Sequence, residues 1–187
     1  VVEAYPPVLD NAEFSGRFMA IWATNMSVGV ESLGAMLGRP LTEDEVEPVN
    51  WAMAQHAHGI SASELAMSLS ALNQYRRELR SWWADGWDLL LSPTLAEAPV
   101  AIGEHDNVPC EPMLPMIRAA QFVAYTPPFN ASGQPGISLP MSMSTDGLPI
   151  GVQLVADYGR EDLLISVGSQ LEAAGAFHLP GPDTITP

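Results

Sequence analysis

The sequence predicts an α/β fold, with helices through its first half and then strands, shaped loops and a closing helix. Three observations predict it. Thr42-Glu43-Asp44-Glu45 and Ser61-Ala62-Ser63-Glu64 both place a hydroxyl three residues before a glutamate, the pattern that opens helices. After Trp87, short apolar runs replace helical periodicity. Asp146-Gly147, a strong turn signal, separates two of those runs.

Asp10 or Asn11 can cap a first helix, on which Phe14, Phe18, Ile21, Trp22 and Met26 share one face. In the Thr42 signature the hydroxyl serves the first turn and Glu45 reaches back, while Pro48 suits a second helical start or a break. Trp51, Met53, Ala54 and Ala57 form a short apolar pattern that Gly59 can stop. Behind Ser61, residues Leu65, Leu69, Leu72, Leu79 and Trp83 keep helical spacing for about five turns. Arg76, Arg77 and Arg80 crowd the last turns of that segment, where cations complement the helix dipole.

In the second half, Trp87 to Ser92 reads as a buried strand ending at Pro93. A Pro-rich loop follows, over residues 94 to about 112, and residues 113–124 can be helical. Residues 136–143 and 150–156 read as two strands, paired antiparallel through the Asp-Gly turn. Arg160-Glu161-Asp162 opens a helix with Leu163, Leu164, Val167 and Leu171 on one face, and Gly175 ends it. The tail to Pro187 reads as irregular.

The 187 residues fit one domain or a large piece of one, and the 47% hydrophobic content can build a sizeable core. Folding a chain of this length removes roughly 70% of its unfolded surface from water. The net charge is −15, and the side-chain cations are seven arginines, with no lysine. A phosphate backbone or an anionic membrane needs neutralising cations, so neither nucleic acid nor a membrane is expected as a partner. No apolar stretch reaches the ~20 residues of a membrane span. Cys110 is the sole cysteine, which excludes an intrachain disulfide and fits a reducing, cytoplasmic location. The opening Val1-Val2-Glu3 has no initiator methionine and no basic stretch, so it reads as starting in mid-protein rather than as a signal peptide.

A self-contained reaction centre is not legible. No Gly-x-Ser-x-Gly elbow occurs, and Ser132, in a Gly- and Pro-flanked loop where it could be exposed, has no base nearby in sequence. Cys110 has neither base nor cation beside it. His56 and His58 would point about 200° apart on a helix, so they cannot share a metal. His105 lies in the long loop and His178 in the tail, and no phosphate cradle opens a helix. Carboxylates cluster at helix starts, where the dipole accounts for them. No catalytic residue, metal or cofactor is therefore expected on this chain.

Four motifs then fall in order across residues 88–172. Asp88-Leu89-Leu90-Leu91-Ser92-Pro93-Thr94, Asn130-Ala131-Ser132-Gly133-Gln134-Pro135-Gly136-Ile137-Ser138-Leu139-Pro140, Gly147-Leu148-Pro149-Ile150-Gly151-Val152-Gln153-Leu154-Val155 and Gly159-Arg160-Glu161-Asp162-Leu163-Leu164 resemble successive segments of the amidase signature family. Val2-Glu3-Ala4 with Pro6-Pro7 is similar to that family's mid-chain segment that precedes a variable helical region, and residues 8–87 match loosely. Within the family the look is that of bacterial amidases of the 6-aminohexanoate-cyclic-dimer hydrolase type.

The resemblance implies that residues 1–187 are the C-terminal part of a single amidase domain, 1–87 mainly helical and 88–187 strands, loops and closing helix, from a fold with a mixed central sheet wrapped by helices. It implies an amidohydrolase using a serine nucleophile, a bridging serine on a cis peptide and a neutral lysine, all carried by the N-terminal half. This chain, having no lysine, would then be inactive alone and would partner the missing half and a small-molecule amide substrate. By the same analogy Trp22, Phe129 and Asn130 are the candidate substrate-binding residues. Trp22 could equally be core, and Asn130 could simply cap the turn before Gly133. Gln153 reads as a buried polar group paired to backbone. A sheet edge or apolar face left uncovered would favour homo-oligomers. Two rivals stand beside this reading: a separate non-catalytic binding or structural subunit, and a small hydrolase using Ser132 or Cys110.

Overall fold

A computed structural model describes residues 1–178. The tail read as irregular lies, from residue 179, outside the described residues. The chain forms two contact units: Asp10–Arg77 with Ile102–Ala120, and Val1–Leu9 with Glu78–Ala101 and the chain from Gln121 onward.

The first unit is helical. Its first helix, α1 (Phe14–Leu37), is preceded by an Asn11 side chain that accepts the Glu13 N–H at 2.9 Å. It ends at Gly38, whose φ of 73° is the left-handed conformation that glycine adopts without a Cβ penalty. The buried line of α1 is Ala20, Ala23, Ser27 and Gly34, not the expected aromatic stripe. At Gly34 the chain just past the helix comes close: a Cβ there would meet the Arg39 carbonyl at 3.0 Å. The aromatics stack on one another instead. Phe14 lies 4.5 Å from Tyr75 and 5.7 Å from Phe18, and Phe18 lies 6.1 Å from Trp22.

The Thr42 signature forms a single 3-10 turn, Glu43–Glu45, with Glu45 accepting the Thr42 N–H at 3.1 Å. The next helix, α2 (Pro48–Ala57), starts at Pro48, whose missing N–H costs nothing at a first helical position. Ser61 caps α3 (Ala62–Ala84), whose residues from Glu78 belong to the second unit, by accepting the Glu64 N–H at 3.1 Å. Its buried line runs through Ser68, Leu72, Tyr75, Leu79, Trp82 and Trp83, whereas Leu69, expected on that face, is 44% exposed. The last turn carries no cation, so the arginine cluster sits further from the helix terminus than expected.

The second unit holds a sheet of β1 (Leu89–Pro93), β2 (Gly136–Met143) and β3 (Pro149–Ala156), ordered β1-β3-β2 and antiparallel throughout. The hairpin turn closes as expected. Ser144 donates to the Leu148 carbonyl at 2.8 Å, and Gly147, at φ 78°, donates to the Ser144 carbonyl at 3.1 Å. A bulge between Pro140 and Ser142 falls where proline has no N–H for the ladder. One sheet face buries Leu139, Leu154 and Ala156 against Leu164 of α6 (Glu161–Ala173). The strand expected to be buried, β1, is an edge strand: Leu90 is buried but Leu91 is 56% exposed.

Two further helices complete the description. Helix α4 (Leu114–Phe122) lies within the expected span. Helix α5 (Pro127–Ser132) replaces the loop expected around Phe129 and Asn130. Pro127 at its first turn and Gly133 in the left-handed conformation, φ 80°, bracket one helical turn and a half.

Candidate functional site

Strand register builds a polar row on the sheet face opposite α6. Ser92 and Ser138 both pair with Gln153 of the central strand, so the three side chains share one face. Gln153 is buried, and its Nε2 donates to Ser92 Oγ at 3.3 Å and to the Tyr125 carbonyl at 3.4 Å. The expected pairing to backbone is therefore present, and a hydroxyl shares it. One row along, Thr94 Oγ1 and Ser138 Oγ share a hydrogen bond of 2.7 Å across Gly151. A Cβ at Gly151 would stand 2.7 Å from Ser138 Oγ and 2.8 Å from Thr94 Oγ1, so only glycine leaves this bridge intact.

The Tyr125 carbonyl held by Gln153 leads directly into α5. At the far end of that helix Ser132 is buried, 4% exposed, and its hydroxyl donates to Gln134 Oε1 at 3.0 Å. This corrects the expectation of an exposed serine: the turn that was read as a loop is helical and faces inward. Its carbonyl accepts from the Tyr158 hydroxyl. Phe129 is buried and Asn130, its neighbour, is exposed. Asn130 does not cap the turn before Gly133, because the Gly133 N–H goes to the Phe129 carbonyl at 2.8 Å. Trp22 belongs to the helical unit, where it is 40% exposed at the open end of the aromatic ladder. A separate cleft of about 430 Å³ in that unit is lined by Val30, Gly34, Leu41, Trp51 and His58 among others.

These hydroxyls and carboxamides can bind and orient a polar group. No described hydrogen bond joins Ser92, Thr94, Ser132 or Ser138 to a carboxylate, histidine or amine. Among the described residues no three His, Cys, Asp or Glu side chains converge as a metal site. The perturbed titrating groups lie elsewhere. Bonds from Arg39 and from Thr42 hold the Glu45 carboxyl down to about 2, Arg160 lowers Asp162, and burial raises the Tyr75 phenol above its ordinary 10. Cys110 is exposed, in the left-handed conformation at φ 66°. No described helix is long and apolar enough to cross a membrane.

Sequence reasoning missed the Ser92–Gln153–Ser138 row as a unit. Counting outward from Asp146-Gly147 does not reveal it, because the bulge between Pro140 and Ser142 shifts the ladder before Ser138 meets Gln153. Hydroxyls on separate strands, moreover, carry no motif of their own.

The family model described as Amidase matches residues 1–165. The chain is 39% identical over 192 aligned positions to the 6-aminohexanoate-cyclic-dimer hydrolase of Paenarthrobacter ureafaciens, covering all of this chain and 39% of that protein. It is 38% identical to the enzyme of the same name from Pseudomonas sp. (strain NK87), with the same coverage. Among solved structures, 6-aminohexanoate cyclic dimer hydrolase superposes with a TM-score of 0.86 at 41% identity, over 93% of this chain and 37% of that one. A bacterial aryl acylamidase shares the fold at TM-score 0.63 and 19% identity. The chain thus spans about two fifths of the length of the curated relatives it matches.

Proposed function

Because this chain belongs to the amidase family, we propose that it is the C-terminal portion of an amidohydrolase that cleaves carboxylic amide bonds, linear or cyclic. The observation that carries the proposal is the relation to 6-aminohexanoate-cyclic-dimer hydrolase: 39% identity along the whole chain, over only 39% of that protein's length.

The complete enzyme cleaves the amide with a serine nucleophile, a bridging serine and a lysine. The lysine must be neutral to draw a proton through the bridging hydroxyl, so that the nucleophile can attack the carbonyl. Backbone N–H groups then hold the oxyanion. Residues 1–187 contain no lysine, and arginine stays protonated, so the base comes from outside this segment. This segment forms part of the same amidase domain. It supplies the three strands and a share of the substrate pocket, with Trp22, Phe129 and Asn130 as the contributing residues. The exposure of Trp22 and Asn130 supports roles beyond core packing. The small-molecule amide and the rest of the domain are the partners on this reading.

The test is hydrolysis of 6-aminohexanoate cyclic dimer, followed by release of free amine. The complete enzyme turns it over, the isolated chain does not, and Trp22→Ala in the complete enzyme raises KM. Turnover by the isolated chain that disappears in Ser132→Ala would overturn the proposal.

A further inference from the structure

Helix α5 has six residues, too few to hold itself together in water, so its position depends on what grips its ends. At the N-terminal side, Thr126 Oγ1 donates to the Val123 carbonyl at 3.2 Å and Gln153 holds the Tyr125 carbonyl. The C-terminal side has the carbonyl groups that every helix leaves without an intrahelical donor. The Ser132 carbonyl is one of these, and the Tyr158 hydroxyl donates to it.

Tyr158 is placed for this contact from both directions. It lies in the connection between β3 and α6, where its own N–H is held by Asp157 Oδ1 at 2.8 Å. Its ring flanks the left-handed cap: a methyl at Gly133 would sit 3.8 Å from Tyr158 Cε1. The Arg80 guanidinium lies over the ring, 5.9 Å from its centroid. Yet the side chain is 38% exposed, which is too open for apolar burial to be its main contribution. What distinguishes it is a directed hydroxyl on a segment 26 positions away in sequence.

We infer that Tyr158 is a positioning residue for substrate binding, which acts through α5 by fixing how Asn130 is presented. This rests on the proposed reading of Asn130 as part of the substrate pocket. Phe129, Ala131 and Ser132 are buried and the Ser132 hydroxyl bonds to Gln134, and the Tyr158 hydroxyl adds to these anchors a directed hold on the backbone of the Ser132 end.

The experiment is a double-mutant cycle in the complete enzyme, with 6-aminohexanoate cyclic dimer as substrate. Tyr158→Phe deletes the hydroxyl and keeps the ring over Gly133. It should raise KM about fivefold, the size of one net hydrogen bond, with kcat changed by less than about twofold. In an Asn130→Ala background the same substitution should lose that effect, because the group being positioned is gone. If Asn130→Ala raises KM and Tyr158→Phe leaves it unchanged, the positioning role is wrong and the pocket reading stands. If Asn130→Ala leaves KM unchanged, the pocket reading fails and the inference falls with it. Equal losses of kcat and of thermal midpoint in both backgrounds would make Tyr158 a plain structural brace, which also overturns the inference.

Discussion

Replacing Gly151 by alanine puts a methyl where two hydroxyls already meet. The new carbon would lie 2.7 Å from Ser138 Oγ, 2.8 Å from Thr94 Oγ1 and 3.3 Å from Thr94 Cβ. Nonbonded carbon contacts relax only near about 3.5 Å, so both oxygens must move by more than about half an ångström. Ser138 can turn to another rotamer. Thr94 cannot turn as readily, because it is β-branched and its N–H is tied to the Gly151 carbonyl at 3.2 Å. Breaking the bridge costs about 1 kcal/mol, less where water can replace it, and inserting a methyl against a stiff neighbour costs roughly 1–3 kcal/mol. The φ of Gly151 suits any residue, so alanine regains about 0.4–1 kcal/mol by narrowing the unfolded ensemble. The expected result is a net destabilisation of roughly 1–2 kcal/mol, read as a lower urea midpoint with an unchanged slope. Ser138→Ala removes one of the two obstructing oxygens. Adding it to Gly151→Ala should recover about 1 kcal/mol instead of adding a second loss. A Gly151→Ala protein as stable as its parent, or strictly additive effects of the two changes, would refute the steric account.

Glu45 is depressed to about 2, so its stabilisation is complete above the ordinary carboxyl value of 4.5 and disappears as pH falls through about 2. In Arg39→Gln the Glu45 titration, followed by NMR, should move back toward 4.5 but stop short of it, because Thr42 still donates its N–H. Leu164→Ala empties the space between α6 and the sheet and should cost about 3 kcal/mol, within the usual range for a buried leucine, measured by thermal or urea unfolding. Gly168→Ala on the same helix should do the opposite. Its methyl would meet Ile137 Cδ1 at 3.5 Å and Leu139 Cδ2 at 3.7 Å, which are ordinary contacts, and a mid-helix glycine gives up about 1 kcal/mol of helix propensity.

The elements best read from sequence are those whose signals are local. Ser61 with Glu64, Asp146-Gly147 and the apolar spacing of Leu164 and Val167 each act within a turn or two, and each element formed where its signal stood. Side-chain register was less legible: the hairpin turn sets the first pairs, and the bulge between Pro140 and Ser142 then shifts the ladder by one residue. Helix α5 was the exception, because Pro127-Pro128 reads as a loop unless the proline is recognised as a first helical residue.

What sequence did not yield was decided by contacts between distant residues. Periodicity says which side chains share a face, but it cannot say which face is covered. On α1 the apolar aromatics should have been buried by hydrophobicity alone, yet the covered line is Ala20, Ala23, Ser27 and Gly34, and at Gly34 the close approach of the Arg39 backbone leaves little room for a side chain. The same reasoning explains the candidate site. The Ser132–Tyr158, Thr94–Ser138 and Ser92–Gln153 bonds span 26, 44 and 61 positions of sequence. A hydroxyl has no strong preference for any one environment, so it signals nothing until a partner arrives. Gly151 is the one member of the group whose identity carried information, since a strand interior disfavours glycine unless something approaches its backbone closely. Read that way, an isolated glycine between Ile150 and Val152 is the sequence mark of the Thr94–Ser138 bridge, and the Gly151→Ala measurement tests that reading and the geometry together.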